Sequence, residues 1–406
     1  MSDFSQNGII STLHDFGRKS TRQIEQELLN FSKERKMELI LPCLYSELDR
    51  DALPKIVSEI AKTKYLNHII IGLDQANENQ ARKAWIFFEK LETPFTILWN
   101  DGPNLKKLDK ELQKKSLAPN EKGKGRNVWY CIGMSIARNS ARSVALHDCD
   151  IKTYDRRMLA KLFYPVVNPL FNFEFCKGYY PRVADNKMNG RVARLLVFPL
   201  LTALEKTIGN CEYLDFMKSF KYPLAGEFSF RRNILPELRI SSDWGIEIGI
   251  LSEMQRNFSP QNICQVNLAD TYDHKHQDLS NNDDKKGLSR MSIDIIKTFI
   301  KKLATQGHSF SKEQLRSLKA TYYRSALDLI DAYRSDAEIN GLNFDSHSEE
   351  KAVELFSSNI IKAGEAFYLN PMDAPFIPTW SRVKSAIPDF LTRLEKAVNE
   401  DNKFYL

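Results

Sequence analysis

MELILPCLYSELDRDALPKIVSEIAKTKYLNHIIIGLD, residues 37–74, begins and ends on short apolar runs and carries a helical spacing between them. MELILPC (37–43) reads as a buried strand, Leu53–Thr63 as a helix, and HIIIGLD (68–74) as a second strand. Runs this short and this apolar suit strands covered on both faces. A helix over Glu78–Leu91 and a third strand, FTILWN (95–100), repeat the pattern. The alternation predicts an α/β fold, a Rossmann-like, mainly parallel sheet with helices on both sides. In such sheets ligands bind beyond the carboxyl ends of the strands. There the chain places PCL, GLD and, after a further short strand at Ser143–Leu146, HDCD (147–150).

The 406 residues allow a large core, and 42% hydrophobic with 27% charged content is that of an ordinary globular protein. A net charge of +6, from 58 basic and 52 acidic residues, suits an anionic ligand and is too small to argue for nucleic acid. Cys43, Cys131, Cys149, Cys176, Cys211 and Cys264 form no CxxC pair, as expected of a reduced, cytoplasmic chain. No apolar run reaches the roughly 20 residues that span a bilayer, so no membrane association is expected.

STRQIEQELLNFSKERK (20–36) has helical spacing, and residues 1–36 read as an N-terminal helical segment. Residues 37–284 form the predicted catalytic domain. Within it lie a strand in NFEFCKGYYPR (172–182), a long helix in GRVARLLVFPLLTALEKTIG (190–209) and a loop into PLAGEFSFRR (223–232). Pro199 predicts a kink near Phe198. SSDWGIEIGILSEMQ (241–255) reads as a helix capped by Ser242 or Asp243, followed by a strand in ICQVNLAD (263–270). The polar run HKHQDLSNNDDKKG (274–287) marks a boundary near 285, beyond which residues 285–406 are helical in pattern. That helical region suits either a cover over the site or a homodimer interface.

Asp148 and Asp150, one residue apart after a strand, can share a divalent cation such as Mg2+ or Mn2+. The same DxD also suits a turn in which the aspartates bond nearby amides. His274 and His276 follow a strand and offer an imidazole ligand or simply a polar loop. In EKGKGRNVWYCIGMSIARNS (121–140), Gly-Lys-Gly precedes an amphipathic helix, where Lys124 and backbone amides can meet a phosphate. Arg182, Arg191 and Arg194 offer bidentate anion contacts. In PLAGE, Gly226 allows close backbone approach while Glu227 can accept from hydroxyls, although the segment also suits a plain tight turn. Glu247 sits one turn into a helix beside Ile246 and Ile248 and can accept from a sugar hydroxyl. A non-enzymatic alternative, polyanion binding through Lys106–Arg126, lacks the interleaved stacking aromatics of single-strand binders.

Taken in order, PCLYSE, GKG, DxD, KGYYPR, GRVARLLVFPLLTAL, PLAGE, SDWGIEIGIL and a late KH resemble one group of enzymes. They are the retaining GT-A glycosyltransferases of glucosylglycerate-type solute synthesis. The chain is most similar to the glucosyl-3-phosphoglycerate synthase family and more distantly to mannosylglycerate synthases. The resemblance runs from about residue 38 to 280. It implies transfer of glucose from UDP- or GDP-glucose to the 2-hydroxyl of 3-phosphoglycerate, with Mg2+ or Mn2+.

The resemblance also implies site residues. Pro42, Cys43, Leu44 and Glu47 would line the base and ribose, and Lys124 would meet the donor diphosphate. Asp148 and Asp150, with His276 favoured over His274, would hold ribose and metal, and Cys149 between them would line the nucleotide-sugar site. Arg182, Leu224, Ala225 and Gly226 would surround the acceptor, with Gly190 and Arg191 at its phosphate. Trp244 and Glu247 would lie near the hexose, and Glu247, Asp150 and Lys124 would carry the catalysis. Ala193 stands where the family carries a hydroxyl residue, and HQDLS (276–280) replaces a more basic stretch. Mannosyl or glucosyl transfer to free glycerate therefore remains an alternative.

Overall fold

The structure is a computed structural model that describes residues 6, 8–119, 121–274, 287–371 and 376–403. In chain order it begins with β1 (Ser11–Leu13), α1 (Thr21–Phe31), β2 (Met37–Leu44), α2 (Ala52–Ile60), β3 (Leu66–Asp74), α3 (Glu78–Phe88) and β4 (Phe95–Trp99). It continues through α4 (Pro103–Lys114), α5 (Lys124–Arg138), β5 (Ser143–Leu146), α6 (Arg156–Val167) and β6 (Phe175–Tyr179). A small hairpin follows, β7 (Val183–Ala184) and β8 (Lys187–Met188), then α7 (Phe198–Ile208), α8 (Glu212–Lys218), β9 (Phe228–Arg231) and β10 (Ile240–Ser241). The rest is α9 (Ile246–Asn257), β11 (Ile263–Asn267), α10 (Gly287–Ala304), α11 (Lys312–Ile339), α12 (Ser346–Leu369), β12 (Phe376–Ile377), α13 (Trp380–Ala386) and α14 (Phe390–Asn402).

The main sheet has eight strands in the order β1-β11-β6-β9-β5-β2-β3-β4. Only β9 runs antiparallel to its neighbours; every other pair is parallel. Leu39, Leu41, Ile69 and Ile71 are buried on one face, and Ile40, Ile70, Val144 and Leu146 on the other. That two-sided burial is why these strands read as continuous apolar runs rather than alternating ones.

Three details differ from the sequence reading. Residues 11–13 add an edge strand paired parallel with β11, ahead of the expected N-terminal helix. The helix after DWG starts at Ile246 behind Gly245; Asp243 Oδ1 instead accepts the Gly245 N–H at 2.9 Å, so neither Ser242 nor Asp243 is the cap. The expected kink is a wide-turn π-helical stretch, Val192–Val197, running into α7. Pro199 lacks the N–H that would bond the carbonyl four residues back. That carbonyl, Leu195 O, accepts from Tyr322 Oη of α11 at 2.5 Å.

The helices beyond residue 287 pack onto the sheet layers. The Trp380 ring stacks on Trp129 of α5, centroids 4.0 Å apart at 18°, and its Nε1 donates to Trp129 O at 3.0 Å. Asp401, near the end of α14, accepts from the free N–H groups of Asn104 and Leu105 at 3.1 and 3.2 Å and so caps α4 from the far end of the chain. No described helix is long and apolar enough to cross a membrane.

Candidate active site

A cavity of about 960 Å³ opens at the carboxyl ends of β2, β3 and β5. One wall is the end of β2 with Pro42, Cys43, Leu44 and Glu47, beside Asp74 of β3. The floor is the loop after β5 with Asp148, Cys149 and Asp150, faced by the α5 N-terminus with Lys124 and by Glu247. The opposite end holds Arg182, Gly190, Arg191, Leu224 and, from the C-terminal helices, Ser348 and Glu349. Trp244 and His274 also line it. Thus fifteen distant positions expected from the sequence share one cavity with residues the sequence did not single out.

Gly125 is needed for this convergence. A Cβ there would overlap the backbone carbonyl of Ser241, so only glycine lets the start of α5 approach the DWG segment. The approach sets Lys124 Nζ 2.7 Å from Asp148 Oδ1 and 3.1 Å from Glu247 Oε1. Burial disfavours the ammonium, but the two carboxylates outweigh it and hold the Lys124 pKa well above its ordinary value. Lys124 is therefore a fixed cation at the amino end of a helix of 15 residues, where free amides and the helix dipole also favour an anion.

Asp150 shows how a cation would fit. Its Oδ1 is buried and has no hydrogen-bond partner among the described residues, while His274 Nδ1 lies 3.6 Å from its Oδ2. Burial raises its pKa, but the contact with His274 and the charge of Lys124 win and leave it lowered. An ionised oxygen donor with a free lone pair beside an imidazole suits Mg2+ or Mn2+. Among the described residues no group of three or more such ligands assembles; His276 lies outside them. Asp273 anchors this corner, its backbone carbonyl accepting from Lys152 N at 2.9 Å and its N–H donating to Thr153 Oγ1 at 3.1 Å.

The PLAGE loop is built from beneath. Lys177 of β6 is wholly buried and donates from Nζ to Ala225 O at 2.5 Å; burial brings its pKa down to about 8. A Cβ on Gly226 would overlap the Asp148 carboxylate, which explains the glycine. Leu224 lines the cavity, whereas Ala225 is fully buried under it. Glu227 is buried and does not line the cavity. Tyr180 and Tyr272, stacked 3.6 Å apart, donate to its two oxygens at 2.5 and 2.8 Å. Burial and the nearby Asp148 raise its pKa. Behind the DxD, His147 accepts from or donates to Tyr154 Oη through Nε2 at 3.2 Å and meets Asp148 O through Nδ1 at 3.0 Å. Apart from the apolar or aromatic character of the segments, nothing in the sequence signals these supports.

No family model matches the chain. Solved structures of the glucosyl-3-phosphoglycerate synthase of Mycobacterium tuberculosis share its architecture. The complex with Mn2+, UDP-glucose and phosphoglyceric acid aligns with a TM-score of 0.52 at 20% identity, covering 73% of this chain and 88% of that one. The complex with Mg2+ and UDP aligns with the same TM-score at 21% identity, covering 73% and 87%. The architecture is thus the GT-A fold of glycosyltransferases, with the cavity at the sheet rim beyond the carboxyl ends of the strands, where open α/β sheets bind ligands.

Two relatives align end to end. The chain is 42% identical over 402 residues to the glucosyl-3-phosphoglycerate synthase of Persephonella marina, with 99% of each covered. It is 37% identical over 407 residues to that of Methanococcoides burtonii, again with 99% of each covered. The chain belongs to the glucosyl-3-phosphoglycerate synthase family.

Proposed function

We propose that this cavity transfers glucose from UDP-glucose to the 2-hydroxyl of 3-phosphoglycerate with retention at the anomeric carbon. The observation that carries the reading is the cluster at the sheet rim: Lys124 clasped by Asp148 and Glu247, next to Asp150 Oδ1, which has no hydrogen-bond partner among the described residues. The bond from glucose C1 to the diphosphate oxygen breaks, and the acceptor oxygen bonds C1 on the same face. The acceptor proton passes to the departing diphosphate, so nucleoside diphosphate and glucosyl-3-phosphoglycerate are the products. Among the described residues, none of the cavity's side chains is placed as an evident covalent nucleophile.

Lys124 and the α5 amides offset charge on the leaving diphosphate, and Glu247 orients hydroxyls of the transferred sugar. Pro42, Cys43, Leu44 and Glu47 hold the nucleoside, with Trp244 near the hexose. Arg182, Gly190, Arg191 and the 224–226 loop take the acceptor. Mg2+ or Mn2+, held by Asp150 with His274 or His276, would supply Lewis-acid stabilisation of the diphosphate. In this reading residues 37–284 carry the chemistry and the helical region 285–406 walls the acceptor end. The six cysteines are unpaired, in keeping with a cytoplasmic site of action.

Incubation with UDP-, GDP- and mannosyl donors against 3-phosphoglycerate and glycerate, read by mass spectrometry, tests this. A hexosyl-phosphoglycerate product from UDP-glucose is expected. Product from GDP-glucose alone would reassign the donor, product from glycerate alone the acceptor, and no product from any pair would end the reading. Light scattering on the same preparation tests a homodimer.

A further inference from the structure

Helix α12 starts on the sequence DSHSEEK (345–351), with Asp345 Oδ1 accepting the Ser348 N–H at 3.1 Å. One turn in, the Glu349 side chain is only 5% exposed, which for an isolated carboxylate would cost several kcal/mol. Two arginines compensate it. Glu349 Oε1 accepts from Arg191 Nε at 2.7 Å and Oε2 from Arg194 Nη2 at 2.8 Å. Ser348 Oγ accepts from Arg191 Nη2 at 2.8 Å. Arg194 is fixed further by Asn189 O and Met188 O at 2.9 and 3.1 Å and lies 4.8 Å over the Tyr333 ring.

Two more contacts clamp the same segment. Asn343 N donates to Asn186 O at 2.8 Å in the β7–β8 hairpin, and Tyr322 Oη takes the Leu195 carbonyl freed by Pro199. The wide turn at Val192–Val197, a geometry often found at functional sites, is thus tied to α11 and α12. Arg191 keeps 33% of its side chain exposed against 5% for Glu349, so the guanidinium rather than the acid faces a cavity ligand. Two cations sharing one anion leave the Arg191–Arg194–Glu349 cluster with one net positive charge.

We propose that Glu349 is a positioning residue of the acceptor subsite. From the C-terminal helical region it locks Arg191, with Arg194 behind it, so that the subsite takes an acceptor bearing a phosphate. This deepens the reading above and rests on it for the identity of the acceptor.

The test compares wild type with Glu349→Gln, which keeps the side-chain shape but removes the charge. With 3-phosphoglycerate, KM should rise about 10-fold with kcat within about twofold, because one charge-assisted contact that orders Arg191 is lost. KM for UDP-glucose and the kinetics with glycerate should stay within about threefold, whereas general loosening would move all of them together. Glu349→Asp, which retains the charge, should recover part of the loss. An unchanged or lower KM for 3-phosphoglycerate, or parallel shifts for both acceptors, would overturn the proposal. If Glu349→Gln does not fold, Ser348→Ala at the helix start replaces it, with a rise of about threefold expected and no change overturning the idea. Calorimetric binding of 3-phosphoglycerate to wild type and variant gives the same comparison without turnover. Failure of the functional reading, no product from wild type, is thereby separable from failure of the Glu349 assignment.

Discussion

Lys124 Nζ and Asp148 Oδ1 stand 2.7 Å apart across the mouth of the sheet, joining the start of α5 to the loop after β5. The same ammonium reaches Glu247 Oε1 at 3.1 Å, so one cation organises acids from two other segments. A diphosphate placed here meets a charge already oriented, and little reorganisation is needed as its own charge grows. Lys124→Met should lower kcat by about 10²–10³-fold, the scale of losing one preorganised donor to a developing anion. Steady-state kinetics with saturating donor checks it; a loss confined to KM would assign Lys124 to ground-state binding alone.

Asp150 Oδ1 is buried without a hydrogen-bond partner among the described residues, a state native structures seldom leave unexplained. Asp150→Asn removes the charge and keeps the size. Affinity for Mn2+ in the presence of UDP should fall on the order of 100-fold, as even outer partners of metal ligands cost 10–100-fold. Transfer should fall with it. The thermal midpoint without metal should drop only slightly: the favourable charge contacts with His274 and Lys124 are lost, but no described hydrogen bond to Oδ1 is. Calorimetry with Mn2+ and a melting curve measure both; wild-type Mn2+ affinity in the variant would move the cation elsewhere.

The parts of this site that a sequence shows are those set by local rules. The β2–α2–β3 unit is visible because strands covered on both faces must be apolar throughout. The DxD is visible because it follows a strand at the ligand side of the sheet, GKG because it opens a helix, and PLAGE because it leads into a strand. What is hidden depends on distant partners. The edge strand Ser11–Leu13 has too few residues and too little apolar pattern to declare itself. Glu349 has the look of any exposed helix acid until the fold brings it to Arg191, 158 positions away. Glu227 carries the same sequence cues as a ligand acid, and only the stacked pair Tyr180 and Tyr272 shows that both its oxygens are taken. The start of α9 at Ile246 likewise follows from Gly245 fitting against Thr298 of α10, which no capping rule contains.

The Trp380–Trp129 stack binds the C-terminal helices to the helix that carries Lys124. Both rings are almost wholly buried, and Gly133 opposite has no room for a Cβ because Trp380 fills the space. Trp380→Ala should destabilise the protein by about 3–5 kcal/mol through lost burial and the cavity left behind. A lower denaturation midpoint with normal activity well below it is the expected pattern. A loss below about 1 kcal/mol would mean the surrounding core collapses into the space.

Asp243 supplies a pH-dependent contribution with a definite sign. Burial, then the nearby Asp294 charge, push its pKa up from the ordinary carboxylate range to about 6, against the Gly245 N–H and the charges of Lys297 and Lys301. Its charged form is therefore penalised in the fold. Below about pH 4 the group is protonated in both folded and unfolded chains and the penalty is absent; it grows through that window and is complete above about pH 6. Asp243→Asn keeps an oxygen to accept the Gly245 N–H while removing the charge. The variant should melt higher than wild type at pH 7–8, and the difference should shrink to nothing near pH 4. A gain that stays constant from pH 4 to 8 would trace the effect to packing, and a loss at pH 8 would mean that the ionised Asp243 is held by Lys297 and Lys301 more strongly than burial opposes it.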